Sequence, residues 1–254
     1  MSILALEFPP VSHLLEWPAF LFKDTPFAFN KVTLIFVAAT VITLVFFFVA
    51  GKRKLVPTGV QSVAESSVEF IENSVIMQTM GPSGMAYLPF LLALFFFVFF
   101  CNIFEVIPLI QFPATSRMAA PAFLAILVWL IFNFVGLKNH GLRYFKNVML
   151  PPGVPVALLP LVALIEFVST FFVRPFSLAV RLFANMLAGH LLLVTFAVLT
   201  AALWSLTPLA SIVWAPFVVL IGLTGFEILV AFLQAFIFTI LTAVYIGGAA
   251  HPEH

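Results

Sequence analysis

The segment Phe176–Leu199, FSLAVRLFANMLAGHLLLVTFAVL, reads as a helix at home in hydrocarbon except at one position. Arg181 stands within it, as its sixth residue, with no Asp or Glu within one or two helical turns. An arginine at mid-membrane costs at least ~2.5–3.5 kcal/mol on insertion scales. A charge placed there needs a partner, and the local sequence supplies none.

The composition makes the surroundings a bilayer. Of 254 residues, 63% are apolar and 8% charged, whereas a soluble domain carries about 25% charged residues. Uncharged runs at 85–104 and 119–137 reach or approach the ~20 residues that cross a ~30 Å hydrocarbon core. The alternating pattern of a membrane β-barrel is absent. The chain therefore reads as an all-α polytopic membrane protein forming a single membrane domain over 1–254. The net charge of +1 points to no partner, and no basic patch with interleaved aromatics supports nucleic-acid binding. The sole cysteine, Cys101, lies in an apolar helix and reads as a small core residue. Residues 1–31, with Glu7, Glu16, Lys23 and Asp24, lack the pattern of a signal peptide and read as an external N-terminal segment.

The first span covers 32–50 and ends at Gly51-Lys52-Arg53-Lys54. Over 59–79, Glu65, Glu69 and Glu72 share one helical face among apolar residues, which predicts an amphipathic helix at the membrane surface. Spans at 85–107 and 119–137 form a hairpin around the 108–118 loop. Two very long apolar stretches follow, 156–204 and 209–249, roughly 74 and 60 Å as continuous helices. Pro160 and Pro175 mark bends in the first. No polar loop divides either, so they read as a tilted, bent hairpin turning near Ser205–Pro208. Basic residues cluster at Lys52–Lys54 and at Lys138, Arg143 and Lys146. The positive-inside rule then places the N-terminus outside and the C-terminus in the cytoplasm.

At 100° per residue, Glu166, Arg174, Ser177, Arg181 and Asn185 fall within a sector of roughly 100° on the first long helix. His190 falls opposite Arg181. On the second, Glu227, Gln234 and Tyr245 line one face. Intramembrane ionisable groups normally face a protein interior or a water-filled cavity, so two facing polar stripes point to a hydrated ion route. Simpler roles stand beside this one. Arg174 has the length to snorkel to a headgroup, and Asn185 and Gln234 are able to bond helices together. His190 with Glu227, or Arg181 with Glu227, are candidate structural pairs.

Three motifs carry a resemblance. Arg174-Pro175-Phe176-Ser177-Leu178 with Arg181-Leu182-Phe183-Ala184-Asn185-Met186-Leu187-Ala188-Gly189-His190 closely resembles the signature of subunit a of F-type ATP synthases. Leu233-Gln234-Ala235-Phe236-Ile237-Phe238-Thr239 with Tyr245 resembles that family's last helix. Asn102-Ile103-Phe104-Glu105-Val106-Ile107-Pro108 matches the end of its second span. The motifs cover about two-thirds of the chain. Ala184 departs from the Gly of many bacterial members.

The resemblance implies a stator subunit of the membrane proton motor, with the long hairpin beside the ring of c subunits. Arg181 would face the ring's essential carboxylate, with Asn185 and Gln234 near it at the rotor interface. His190 and Glu227 would line one aqueous half-channel and Glu166 the other; Ser177, Tyr245, Arg174, Asn102 and Glu105 are secondary candidates. Implied partners are the c-ring, the b subunits of the peripheral stalk, other synthase subunits and lipid, with protons favoured over Na⁺ as the ion. No catalytic site of its own, cofactor or metal is expected. The location implied is a bacterial plasma membrane, with the mitochondrial inner membrane as the alternative.

Other classes fit less well. A secondary transporter commonly shows internal repeats around a substrate site, and none is evident. A purely structural subunit leaves Arg181 unexplained, and an enzyme lacks any nucleophile–base pair or metal-ligand cluster.

Overall fold

The computed structural model describes residues 31–51, 59–107, 110, 114–141, 143–149, 155, 158–204 and 213–250. Residues 1–30, expected to form an external segment, Lys52–Lys54, Pro151-Pro152, Ser205–Pro208, where a turn is expected, and His251–His254 lie outside these. Among the described residues every regular element is helical. Five segments are long and apolar enough to cross a membrane: Lys31–Ala50, Gly81–Ile103, Ala119–His140, Leu159–Leu203 and Trp214–Ala250. The chain is an all-α polytopic membrane protein.

Helix α1 is Lys31–Ala50. Helix α2, Val60–Ile71, continues through a π turn, Glu72–Ile76, and a last α turn, Met77–Thr79. Its period explains its seat: Ala64, Ile71, Val75 and Ile76 are buried, while Glu65 and Glu69 are exposed on the other side. Phe70 meets Phe95, Phe232 and Phe236 with ring centroids 5.5–6.1 Å apart. A 3₁₀ segment, Gly81–Tyr87, leads into α3, Leu88–Ile103. After the 3₁₀ turn Ala114–Ser116, α4 spans Ala119–His140 and stops at Gly141, whose φ of 59° suits a residue without Cβ. Helix α5, Arg143–Met149, lies beside it. Tyr144 is buried on Gly136, where a methyl group would lie within 2.6 Å of three ring atoms.

The first long stretch is α6, Leu159–Val168, a π turn, Ser169–Val173, and α7, Arg174–Leu203. The reading of bends at Pro160 and Pro175 acquires a specific form here. Pro160 sits in the first turn of α6, where no intrahelical donor is needed. Pro175, two residues after the π turn ends at Val173, has no N–H to offer the Phe171 carbonyl, so the helix widens instead of breaking. Helix α8 is Trp214–Ala250. The two stretches contain 45 and 37 residues, roughly 68 and 55 Å at 1.5 Å per residue. Both far exceed a ~30 Å hydrocarbon core, so the pair must be steeply inclined to stay within one.

Helix α8 packs on α3, α4 and α7, and α7 packs on α4. The main core joins Leu91, Val98, Val128, Phe132, Leu178, Leu182, Phe238 and Ile246. A smaller cluster of Ile35, Ala39, Cys101, Phe104 and Ala114 fixes α1 against the end of α3. Cys101 is free and buried there, the small core residue expected.

Candidate functional site

Apolar packing decides which polar groups are enclosed. Leu178, Leu182 and Met186 turn into the core, and continuing that face along α7 brings in Gly189 and His190. His190 is 5% exposed, whereas Arg181 and Asn185, on the other side of the helix, are exposed. The predicted opposition of Arg181 and His190 is therefore realised.

His190 meets α3 where that helix ends. Its Nδ1 lies 3.5 Å from Glu105 Oε1, a long approach for a hydrogen bond. Asn102, in the last turn of α3, and Glu105, in the turn just beyond it, are 1% and 3% exposed, and Glu105 N–H donates to the Asn102 carbonyl at 3.1 Å. Thr115 Oγ1 donates to Asn102 Oδ1 at 2.6 Å. Glu227 enters from α8, also buried, with its carboxyl packed on Gly189. A methyl at position 189 would stand 2.6 Å from Glu227 Cδ, so only glycine lets the carboxyl reach α7. Asn102, Glu105, Thr115, His190 and Glu227 thus form one buried polar cluster beside the Ala114–Ser116 turn.

A second polar site lies toward the opposite end of the hairpin. Arg174 Cζ sits 5.4 Å from the centroid of the Tyr245 ring, within cation–π range. Ser169, Arg174, Ser177, Tyr245 and Gly248 line an open cleft of about 430 Å³. Sixteen residues, about 24 Å of helix, separate Arg174 from His190. Two contacts, Arg174 with Tyr245 and Gly189 with Glu227, fix α7 and α8 as antiparallel neighbours in one register.

Arg181 falls between the two sites. No ion pair to it occurs among the described residues, which removes the candidate bridge to Glu227. The expectation of two facing stripes needs correcting. Gln234 is 6% exposed and buried at the helix seam, while Arg181 and Asn185 point away from the packed helices. The stripes meet only near Tyr245; elsewhere Glu227, His190 and Gln234 are inside, and Arg181 and Asn185 are outside. Glu166, half-buried on α6, is three residues from Ser169 but is not among the residues that line the cleft. The pair anticipated as His190 with Glu227 is a group of three, with Glu105 as the residue beside the imidazole. Thr115 and Gly189 were not singled out from the sequence: one is a loop hydroxyl, the other one small residue among many. Among the described residues no group of His, Cys, Asp and Glu is arranged to hold a metal ion.

These features define a class: a polytopic helical membrane protein whose intramembrane charges gather on one long hairpin, with one arginine outward and unpaired among the described residues. The family model for the ATP synthase A chain matches residues 32–247, and the chain belongs to that family. It is 44% identical over 229 residues to the ATP synthase subunit a of Frankia alni, covering 89% of this chain and 79% of that one. It is 43% identical over 226 residues to the protein of the same name from Rhodopseudomonas palustris, covering 89% of each. The Bartonella bacilliformis relative is 39% identical over 235 residues, covering 91% of each chain.

Proposed function

We propose that this chain is the stator proton-translocating subunit of a rotary ATP synthase, coupling proton flow to rotation of a ring of c subunits. The observation that carries the reading is the position of Arg181: outward on α7, without an acidic partner among the described residues, between two polar sites about 24 Å apart along the hairpin. A stationary cation so placed suits a carboxylate that arrives from another chain and leaves again.

An ion path coupled to rotation cannot be a continuous pore, because the gradient would dissipate through it. Two half-channels separated by a fixed positive charge avoid this. The Asn102–Glu105–His190–Glu227 cluster is the entry: carboxyl and imidazole groups accept and release protons singly, and burial keeps the route narrow. A proton leaving the cluster neutralises one ring carboxylate, which then enters lipid. On the returning carboxylate, Arg181 favours the charged form and so drives release. The guanidinium itself does not deprotonate, so it blocks direct passage between the halves. The released proton leaves through the cleft of Ser169, Arg174, Ser177 and Tyr245, with Glu166 nearby on the same long helix. Each proton crossing supplies ~2.3 kcal/mol per 100 mV. Asn185 and Gln234 are polar neighbours of the rotor contact, and the peripheral-stalk b subunits hold the chain stationary.

The basic loops set the orientation: entry cluster outside, exit cleft toward the cytoplasm of a bacterial plasma membrane. Co-purification with a ring of small helical-hairpin subunits, together with gradient-driven ATP formation in vesicles, tests the proposal. A stable complex lacking such a ring would refute it.

A further inference from the structure

We infer that Thr115 is a positioning residue of the entry cluster, fixing which end of the Asn102 amide faces Glu105 and Glu227. The inference rests on reading that cluster as the proton entry. The Ala114–Ser116 turn packs against α7, which holds Thr115, fully buried, at the end of α3. Its hydroxyl donates to Asn102 Oδ1 at 2.6 Å inside the protein.

A carboxamide has one accepting and one donating end, so occupation of Oδ1 by Thr115 turns Nδ2 away from the loop. Asn102 and Glu105 are three residues apart on one closing turn, which puts their side chains on the same side of the helix. Asn102 Nδ2, Glu105 Oε1 and Glu227 Oε2 are all buried and have no hydrogen-bond partner among the described residues. One donor end thus shares the cluster with two acceptor oxygens, a combination that water in an entry channel can bridge. With the amide reversed, its oxygen would stand among carboxylate oxygens, acceptor against acceptor. The hydroxyl of Thr115, donating to Oδ1, and the carboxyl oxygens on the other side together favour the first arrangement over the second. It exchanges no proton with the path; it acts through Asn102.

The test uses the whole synthase complex reconstituted in vesicles, with gradient-driven proton uptake normalised to assembled complex. Thr115→Ser keeps the donor and loses the shape; Thr115→Val keeps the shape and loses the donor; Thr115→Cys offers only a weak donor. If the hydroxyl sets the amide, flux follows donor strength. Serine stays within about twofold of the parent, cysteine is intermediate, and valine falls about tenfold, the scale of one buried hydrogen bond. Flux that follows shape, with valine at the parental rate and serine slow, overturns the inference. Should the valine variant fail to assemble, serine against cysteine carries the test: equal rates overturn it and a slower cysteine supports it. Arg181→Ala in the same vesicles separates the two levels, because coupled synthesis surviving there refutes the stator reading rather than the role of Thr115.

Discussion

The carboxyl group of Glu227 packs directly on Gly189, one residue before His190, so close that a Cβ there would lie 2.6 Å from Glu227 Cδ and Oε2. Helix α8 therefore delivers its acid to the imidazole neighbourhood only because α7 has no side chain at that point. Gly189→Ala must displace either the carboxyl or the helix, with an overpacking cost of about 1–3 kcal/mol. We expect proton flux in vesicles to fall about tenfold or more at equal assembly. Gly225→Ala, where no atom lies within 4 Å of the added methyl, should leave both assembly and flux unchanged.

Arg181→Ala and Arg181→Lys should each abolish gradient-driven ATP formation. Alanine removes the barrier; lysine keeps a charge but loses its proton more readily when desolvated. Near-normal synthesis in both variants would contradict the barrier role.

Single exchanges His190→Glu and Glu227→His should each slow proton flux, and the double exchange should recover part of it, since both positions border one enclosed cluster. Glu105→Gln, which removes the titratable carboxyl beside the imidazole, should slow flux as well and should not be rescued by the exchange. Failure of the double variant to exceed either single one argues against a shared relay.

Topology has a clean assay because the sole cysteine is buried. Lys146→Cys, at an exposed position of α5, should react with a membrane-impermeant maleimide only from the cytoplasmic side, and the parent protein should not react. Labelling of the introduced thiol from outside would reverse the orientation.

Tyr144, on α5 outside the spans, offers a pH signature. Burial raises its phenol above the ordinary value, and the Arg174 charge opposes this to a smaller extent. The folded protein thus holds the phenolic proton more tightly than the unfolded chain. Its contribution is full below the ordinary tyrosine value of about 10 and is lost as pH rises through the folded value. Melting temperature in detergent should fall more steeply with pH above about 10 for the parent than for Tyr144→Phe. The phenylalanine variant should lose little near neutrality, because the bond from Tyr144 Oη to Asn133 Oδ1 is 3.5 Å long.

The spans were legible because a bilayer imposes length and apolarity on every crossing segment, and the described residues include five helices of that length and character. Arg181 was legible for the same reason: a charge in such a segment stands out. Angular counting also separated His190 from Arg181 correctly, since α7 is regular from 174 to 203. It failed for the facing stripes, because which side of a helix becomes interior depends on where α3 and α4 press. Phe238 and Ile246 seat α8 in that core and take Gln234 inward, and periodicity within α8 alone carries no record of its neighbours. Glu105 beside His190 and Thr115 on Asn102 join residues 85 and 13 positions apart. Such contacts are set by tertiary packing, to which local pattern is blind.

The π turn at Ser169–Val173 works as a phase adjuster between Glu166 and Arg174. Five residues wound more loosely than an α-helix rotate the upstream segment by roughly a quarter turn relative to everything after it. Deleting one residue there would restore uninterrupted α winding and swing Glu166 to a different side of the rod, with no contact of Arg181 or His190 touched. The spacing of charges along this hairpin is thus held by an irregularity in the helix as much as by the residues that carry the charge.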